Sequence, residues 1–367
     1  MNVQRRNRLR TDVTDVAIAG GGIIGLALGL ELRLRGMSVV VLERGQAMRG
    51  ASWAAGGMLA VDDPQNPAGL MELARLSGRL YPEWLLKLEE LSGLRVPMRT
   101  QKALQWVSDE VQDGIASEAE IRELATGLRT PEGVRFRVLE EGSVDPRDLC
   151  VALPKAFVAA GGRLVERCDV LSVDSGTDGV RVRTAKAEFL AESFVDCRGA
   201  WAGETKGDGV AIPVEPVKGQ MVELECGPEH LRCVVRAPGV YLIPRGDGRV
   251  TVGATIERVG FDVQVDEDAI AGLVRAAQEL VPELEGLEPL KSWAGLRPGT
   301  PDGLPVMGRA ADEMSDEGRR WFATGHYRDG ILLAPATARV MAQAMAGELT
   351  EEALEAFAVE RFAMAKS

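Results

Sequence analysis

The sequence predicts an α/β protein: a Rossmann-like dinucleotide-binding domain with an inserted, mainly antiparallel β domain. Three observations carry that expectation. Residues 15–44, DVAIAGGGIIGLALGLELRLRGMSVVVLER, read as a complete βαβ unit with a glycine-rich turn. A second strand runs into a glycine turn at SFVDCRGAWAGE (193–204). From Pro213 to Trp293 the pattern is mostly short alternating strands, QMVELEC, GVYLIPR and RVTVGATI. A chain of 367 residues is long enough to bury two such cores.

Within the βαβ unit, Asp15–Ala19 is the first strand and Ser38–Leu42, rich in β-branched residues, is the second. Ile24, Leu28, Leu32 and Leu34 suit the helix between them, which ends at Gly36. Gly20, Gly22 and Gly25 occupy the GxGxxG positions. The first makes a tight turn and the second lets the backbone approach a pyrophosphate. The third packs the helix against the sheet, aiming its N–H groups and dipole at the anion. Glu43 follows the second strand, 18 residues after Gly25, where a carboxylate binds both ribose hydroxyls and disfavours a 2′-phosphate. The pattern GxxxxGK[ST] is absent, which excludes a kinase-type phosphate loop. The unit alone leaves NAD and FAD open. RGASWAAGGMLA (49–60) favours the bulkier FAD, because its small side chains leave room beside the turn. Ser52 there either hydrogen-bonds a phosphate or belongs to a tight surface turn.

Further along, helical patterns cover Leu70 to Leu91, a polar region at 109–127 and 266–280. In GSVDPRDLCVALPKAFVAAGGRL (142–164), Asp145 is placed to cap a helix, Pro146 to start it and Gly161-Gly162 to end it. RLVE (163–166) is a strand, followed by a hairpin around SGTDG (175–179). The turn after SFVDC brings Gly199 towards the same dinucleotide. The expected division is a discontinuous nucleotide domain, 13–80, 143–212 and 300–367. A substrate-binding domain takes 81–142 and 213–299, and residues 1–12 form a flexible tail. Ligands bind where two such domains meet.

The net charge of −12 argues against a nucleic-acid binder. Five cysteines without a CxxC pair and two distant histidines give neither a disulfide framework nor a metal-ligand pattern, so no metal is expected and a reducing cytoplasm is the default. The basic start MNVQRRNRLR before an apolar stretch mimics a signal peptide, but that stretch is better read as strand and helix. No segment has the ~18 to 20 apolar residues that span a bilayer, so no membrane partner is expected.

Two longer segments, KSWAGLRPGTPDGLPVMGR (291–309) and GHYRDGILLAPATA (325–338), accompany GGGIIG (20–25) and GGMLA (56–60). With PVKGQM (216–221), YLIPR (241–245) and RVTVGATI (249–256), they resemble the ThiO-type glycine oxidases among the D-amino-acid-oxidase-like FAD-dependent oxidoreductases. The resemblance runs over most of the chain. It implies FAD as cofactor and oxidation of glycine or similar small amines with O2. The products are imine or glyoxylate, ammonia and hydrogen peroxide, and in thiamin biosynthesis the glycine imine feeds thiazole formation. Members are often tetramers, which implies a homo-oligomer. The family pattern has a histidine two residues before the substrate tyrosine, where this chain has Gly239. No cysteine follows Cys233, so FAD is expected to be non-covalent.

Amino-acid oxidation needs the substrate carboxylate held and its Cα–H aimed at the flavin. Arg297 is the expected carboxylate clamp, since a planar guanidinium holds both oxygens. Tyr241 is placed to donate its hydroxyl to the same carboxylate. Arg328 either lines the entrance, touches cofactor or substrate, or makes a structural ion pair. The resemblance extends the cofactor set to Arg44, Gly57, Met58 and Val170. It also makes Gly325–Gly330 a turn over the flavin, with Ile331 and Leu332 opening a helix aimed at it. His326 is then a pocket wall rather than an acid or base, and His230 has no role. Two rivals remain open: an FAD dehydrogenase of D-amino acids or secondary amines, and a NAD-binding module without turnover.

Overall fold

The structure is a computed structural model and describes residues 12–108, 110–111, 113–130, 134–176, 178–204, 212–227, 230–310 and 318–362. The expected tail lies outside the described residues except for Asp12, which opens the first strand.

β1 (Asp12–Ala19), α1 (Ile23–Leu34) and β2 (Val39–Leu42) form the expected βαβ unit. The single turn α2 (Ala51–Ala54) and the long α3 (Met71–Ser92) follow. Next come β3 (Met98–Thr100), β4 (Ala103–Val107), α4 (Glu118–Leu124), β5 (Arg135–Leu139) and β6 (Ser143–Val144). The polar stretch expected to be helical over 109–127 thus holds only the short α4, which starts at a capping box of Ser117 and Glu120. Residues 109 and 112 of that stretch lie outside the described residues.

α5 (Pro146–Ala159) begins where the sequence places it, with the Asp145 carboxylate accepting from the Arg147 N–H. It leads into β7 (Arg163–Val165), the hairpin β8 (Val170–Gly176) and β9 (Gly179–Thr184), and β10 (Glu188–Asp196). The chain then builds β11 (Glu215–Glu225), β12 (Val234–Ala237), β13 (Val240–Pro244), β14 (Arg249–Gly253), α6 (Glu267–Leu280) and β15 (Lys291–Gly299). It returns through β16 (Val306–Arg309) and β17 (Arg320–Thr324) to α7 (Gly330–Met345).

Two large sheets result. One runs β16-β17-β10-β1-β2-β7, with the β8–β9 hairpin attached to β10. Its strands from β17 to β7 are mutually parallel. Helices cover it, so β2 is buried along its whole length and reads as a continuous apolar run. α1 lies against α5 and α7, which explains why Leu26, Leu28, Leu30 and Leu32 are all buried rather than confined to one stripe. The other sheet runs β15-β11-β14-β13-β12-β4-β5 and is antiparallel except where β12 meets β4. α6 packs on it.

α3 runs unbroken from Met71 to Ser92, where the sequence places a helical stretch. Its second half, with Tyr81, Leu85 and Leu88, belongs to the same buried cluster as Leu73 and Ala74 and packs on α7. Tyr81 donates to the Ile331 carbonyl at 2.9 Å, tying α3 to the first turn of α7.

Candidate active site

The C-terminal ends of β10, β1 and β2 open into one long cleft of about 1050 Å³. Here the chain leaves β1 for β2 on one side while β10 flanks the other, the switch point where doubly wound sheets bind ligands. Gly20 turns with φ +107°, and a β-carbon there would overlap the Cys197 carbonyl. At Gly25 a β-carbon would overlap the carbonyl of Gly20. Gly22, Ile23 and Ile24 line the cleft, and the first turn of α1 has no acidic residue to neutralise its positive end.

The Ser52 oxygen accepts from the Ile23 N–H at 2.9 Å and is buried. The expectation of a direct phosphate contact is therefore narrowed: Ser52 first caps α1, and only its hydroxyl hydrogen remains to donate. The Glu43 carboxylate accepts from the Gly21 N–H at 2.7 Å and the Gly45 N–H at 2.8 Å. Those amides fix it at the cleft edge, and each oxygen keeps a second lone pair for a ribose hydroxyl. Arg44 lies 3.6 Å over the Trp201 ring. Val170, Gly199, Gly57 and Met58 also line the cleft.

At the far end the antiparallel sheet supplies the floor. Arg297 on β15 pairs with Val217 of β11, and Gly219 pairs with Gly295. The Arg297 guanidinium lies over Gly219, where a β-carbon would overlap it. Its Nη1 donates to the Thr255 carbonyl at 3.0 Å. Tyr241 of β13 pairs with Gly253 of β14, and its ring lies over that glycine, 2.7 Å from where a β-carbon would sit. Burial raises the Tyr241 hydroxyl pKa, with Arg297 pulling the other way, so it remains a proton-bearing donor at neutral pH. A guanidinium and a phenol thus share one face of the sheet, each resting on a missing side chain.

The turn before α7 closes the cleft from above. Tyr327 takes a left-handed φ of +46°, an uncommon conformation for a non-glycine residue. Its N–H donates to the Pro298 carbonyl at 2.9 Å, which joins this turn to the strand carrying Arg297. His326 is buried, with Nε2 3.0 Å from Thr337 Oγ1. Burial lowers its pKa to about 3, so it stays neutral and forms a wall. Arg328 reaches Gln65 and Asn66, and it lies 3.7 Å from Asp63. Its guanidinium therefore braces the 63–66 segment at the cleft mouth. Beside it, burial raises the Asp329 carboxyl pKa to about 7.

Three expected cofactor residues, Gly325, Leu332 and Gly25, do not line the cleft. Gly325 faces Thr300 and the backbone near Val306, where a β-carbon would collide, so it serves packing. Leu332 is buried in the core, one helical step away from the cleft-lining Ile331. Gly25 lies behind the turn as a packing position. Conversely, Trp201, Gly219, Ile256, Phe261 and Val263 line the cleft without having been singled out from the sequence. His230 is not among the cleft residues.

The description "FAD dependent oxidoreductase" belongs to the family model that matches residues 15–344. The chain is a member of the FAD-dependent oxidoreductase family. A glycine oxidase of Pseudomonas aeruginosa is 35% identical over 90% of this chain and 94% of its own length. The crystal structure of glycine oxidase from Geobacillus kaustophilus superposes with a TM-score of 0.87 at 32% identity, covering 96% of this chain and 99% of that one. A bifunctional ThiO/ThiG protein of Synechocystis is 34% identical over 95% of this chain, which spans 54% of that protein.

As a member of this family the protein takes FAD, and its cleft fits that cofactor. β-carbons at Gly20 and Gly25 would overlap protein backbone, so those glycines hold the turn tight, while Gly22 lines the cleft with no side chain of its own and leaves its backbone open to a pyrophosphate. The cleft volume is at the upper end of the ~300–1,000 Å³ typical of small-molecule sites, enough for a dinucleotide and a small substrate. Cys197 lines it too, but burial holds its thiol well above the usual range. Among the described residues, no helix is long and apolar enough to cross a membrane, and no group of three or more acidic, histidine or cysteine side chains is placed to hold a metal.

Proposed function

We propose that this FAD-dependent oxidoreductase oxidises glycine and similar small amino acids to the imine, with glyoxylate, ammonia and hydrogen peroxide as end products. The observation that carries this reading is the pairing of Arg297 and Tyr241 on one face of the antiparallel sheet, in the cleft that holds the dinucleotide turn. Arg297 binds the substrate carboxylate through both oxygens, and Tyr241 donates its hydroxyl to the same group. When bound, FAD supplies the two-electron acceptor that takes hydride from the substrate Cα and passes both electrons to O2. The amine enters neutral, so no side chain has to act as base at Cα; loss of the Cα hydride and an N–H proton leaves the C=N bond. Water then adds to the imine and ammonia leaves. His326, held neutral, contributes shape without moving a proton. The small residues Ala54 and Gly56 beside Tyr241 leave room for a short substrate next to the cofactor. FAD is read as held non-covalently, since no cysteine follows Cys233 in the chain. Similarity to the bifunctional ThiO/ThiG protein of Synechocystis, of which this chain spans 54%, supports a role in supplying glycine imine for the thiazole of thiamin.

The test is a visible spectrum before and after anaerobic glycine, followed by air. Flavin bands that bleach and return with stoichiometric peroxide support the reading. Bands indifferent to glycine and to other small amines would refute it.

A further inference from the structure

Residues 254–265 form a strap that crosses from β14 towards the nucleotide end of the cleft. Buried polar groups anchor it. The Gln220 N–H donates to Thr255 Oγ1 at 2.9 Å, and Gln220 Nε2 donates to Glu257 Oε1 at 2.8 Å. Lys218, almost fully buried, donates to Asp262 at 2.9 Å. Between and just beyond these anchors the strap turns large apolar side chains outward: Ile256, Phe261 and Val263 are 64%, 39% and 54% exposed, and all three line the cleft. Phe261 stacks on Trp201, with centroids 5.4 Å apart and planes 26° from parallel. Trp201 in turn carries Arg44 on its ring. Arg44 follows Glu43, so this three-part stack stands beside the carboxylate placed for the adenosine ribose.

We propose that Phe261, Ile256 and Val263, with Trp201 and Arg44, hold the adenosine half of FAD. Retention of the cofactor then depends on a segment of the antiparallel sheet as well as on the Rossmann turn. A flat adenine ring is the apolar part of the cofactor at this end of the cleft, and stacked aromatic and guanidinium groups are the surfaces that attract one. The inference rests on FAD as cofactor and not on glycine as substrate.

The experiment titrates apoprotein with FAD, and separately with ADP, which carries the adenosine half alone. Phe261→Ala should raise both dissociation constants roughly tenfold, the loss of about 1.4 kcal/mol. Phe261→Tyr, which keeps the ring, should restore the parental values. Val259→Ala, on the same strap and 47% exposed but outside the cleft lining, should change neither. Parental FAD and ADP affinities in Phe261→Ala would overturn the proposal. So would an equal loss in Val259→Ala, which would assign the effect to the strap's fold and not to the ring.

Discussion

The guanidinium of Arg297 occupies the space that a β-carbon at Gly219 would fill. The backbone at 219 is ordinary strand paired with Gly295, so alanine is permitted by conformation and opposed by the guanidinium. Gly219→Ala should therefore displace the clamp while sparing the nucleotide end. We expect KM for glycine to rise about tenfold, a shift near 1.4 kcal/mol, with FAD content unchanged. Arg297→Ala removes the clamp itself and should cost ~2–5 kcal/mol in kcat/KM. Steady-state kinetics decide it: a Gly219→Ala enzyme with parental KM would show that the carboxylate binds elsewhere.

Tyr241 bears on the same carboxylate through one hydroxyl. A hydrogen bond to a charged group contributes roughly 1.5–3 kcal/mol, so Tyr241→Phe should lower kcat/KM by about ten- to a hundredfold. The ring over Gly253 remains, so FAD binding and melting temperature should not move. Burial raises the tyrosine pKa, and the parental pH profile should therefore show no tyrosine ionisation at neutral pH. An unchanged kcat/KM in Tyr241→Phe would reduce the residue to a packing role.

What was legible in the sequence follows the range of the interactions. The Gly20–Gly25 turn and Glu43 are set by neighbours within one βαβ unit, so their spacing reveals them. Asp145 and Pro146 are legible for the same reason, because a cap acts on the turn beside it. Gly219 acquires its meaning only when β11 pairs with β15, and Gly253 only when β14 pairs with β13. Trp201 and Phe261 come from segments some sixty residues apart and meet across the cleft. No local periodicity reports such contacts. The split between Ile331 and Leu332 has a different cause. Ile331 and Leu332 are adjacent in sequence, but about 100° of helix separates them, so one faces the cleft and the other the core.

Nucleotide binding can be tested at the turn without touching the substrate end. A β-carbon at Gly22 would meet only Ser52 Oγ, at 3.4 Å, so the fold tolerates it. A larger side chain there projects into the cleft beside the N-terminus of α1. Gly22→Val should thus yield folded, colourless protein. Glu43→Gln keeps the size of the side chain but lets one terminal atom only donate, although the Gly21 and Gly45 amides both need acceptors. It should retain FAD more weakly than the parent. Absorbance at the flavin bands after gel filtration measures both, and a fully yellow Gly22→Val protein would contradict the role assigned to the turn.

Asp329 makes the last prediction one of pH. It lies at the start of α7, facing Arg328, Asp63 and Arg236, and burial raises its pKa to about 7 against the pull of the two arginines. An unfolded aspartate titrates near ~3.9. Between those values the folded protein holds a proton that the unfolded chain has released. Stability from this group therefore falls as pH rises through that window and levels off above it. Asparagine cannot titrate, so Asp329→Asn should gain on the parent from pH 5 to pH 7.5, by up to a few kcal/mol on the order-of-magnitude scale of such shifts. His326, whose pKa is lowered by burial, acts in the opposite direction but is common to both proteins and cancels in the difference. Thermal melts of the two apoproteins across that range give the answer. Parallel melting curves would mean that Asp329 is ionised in the folded protein throughout, with Arg328 outweighing its burial.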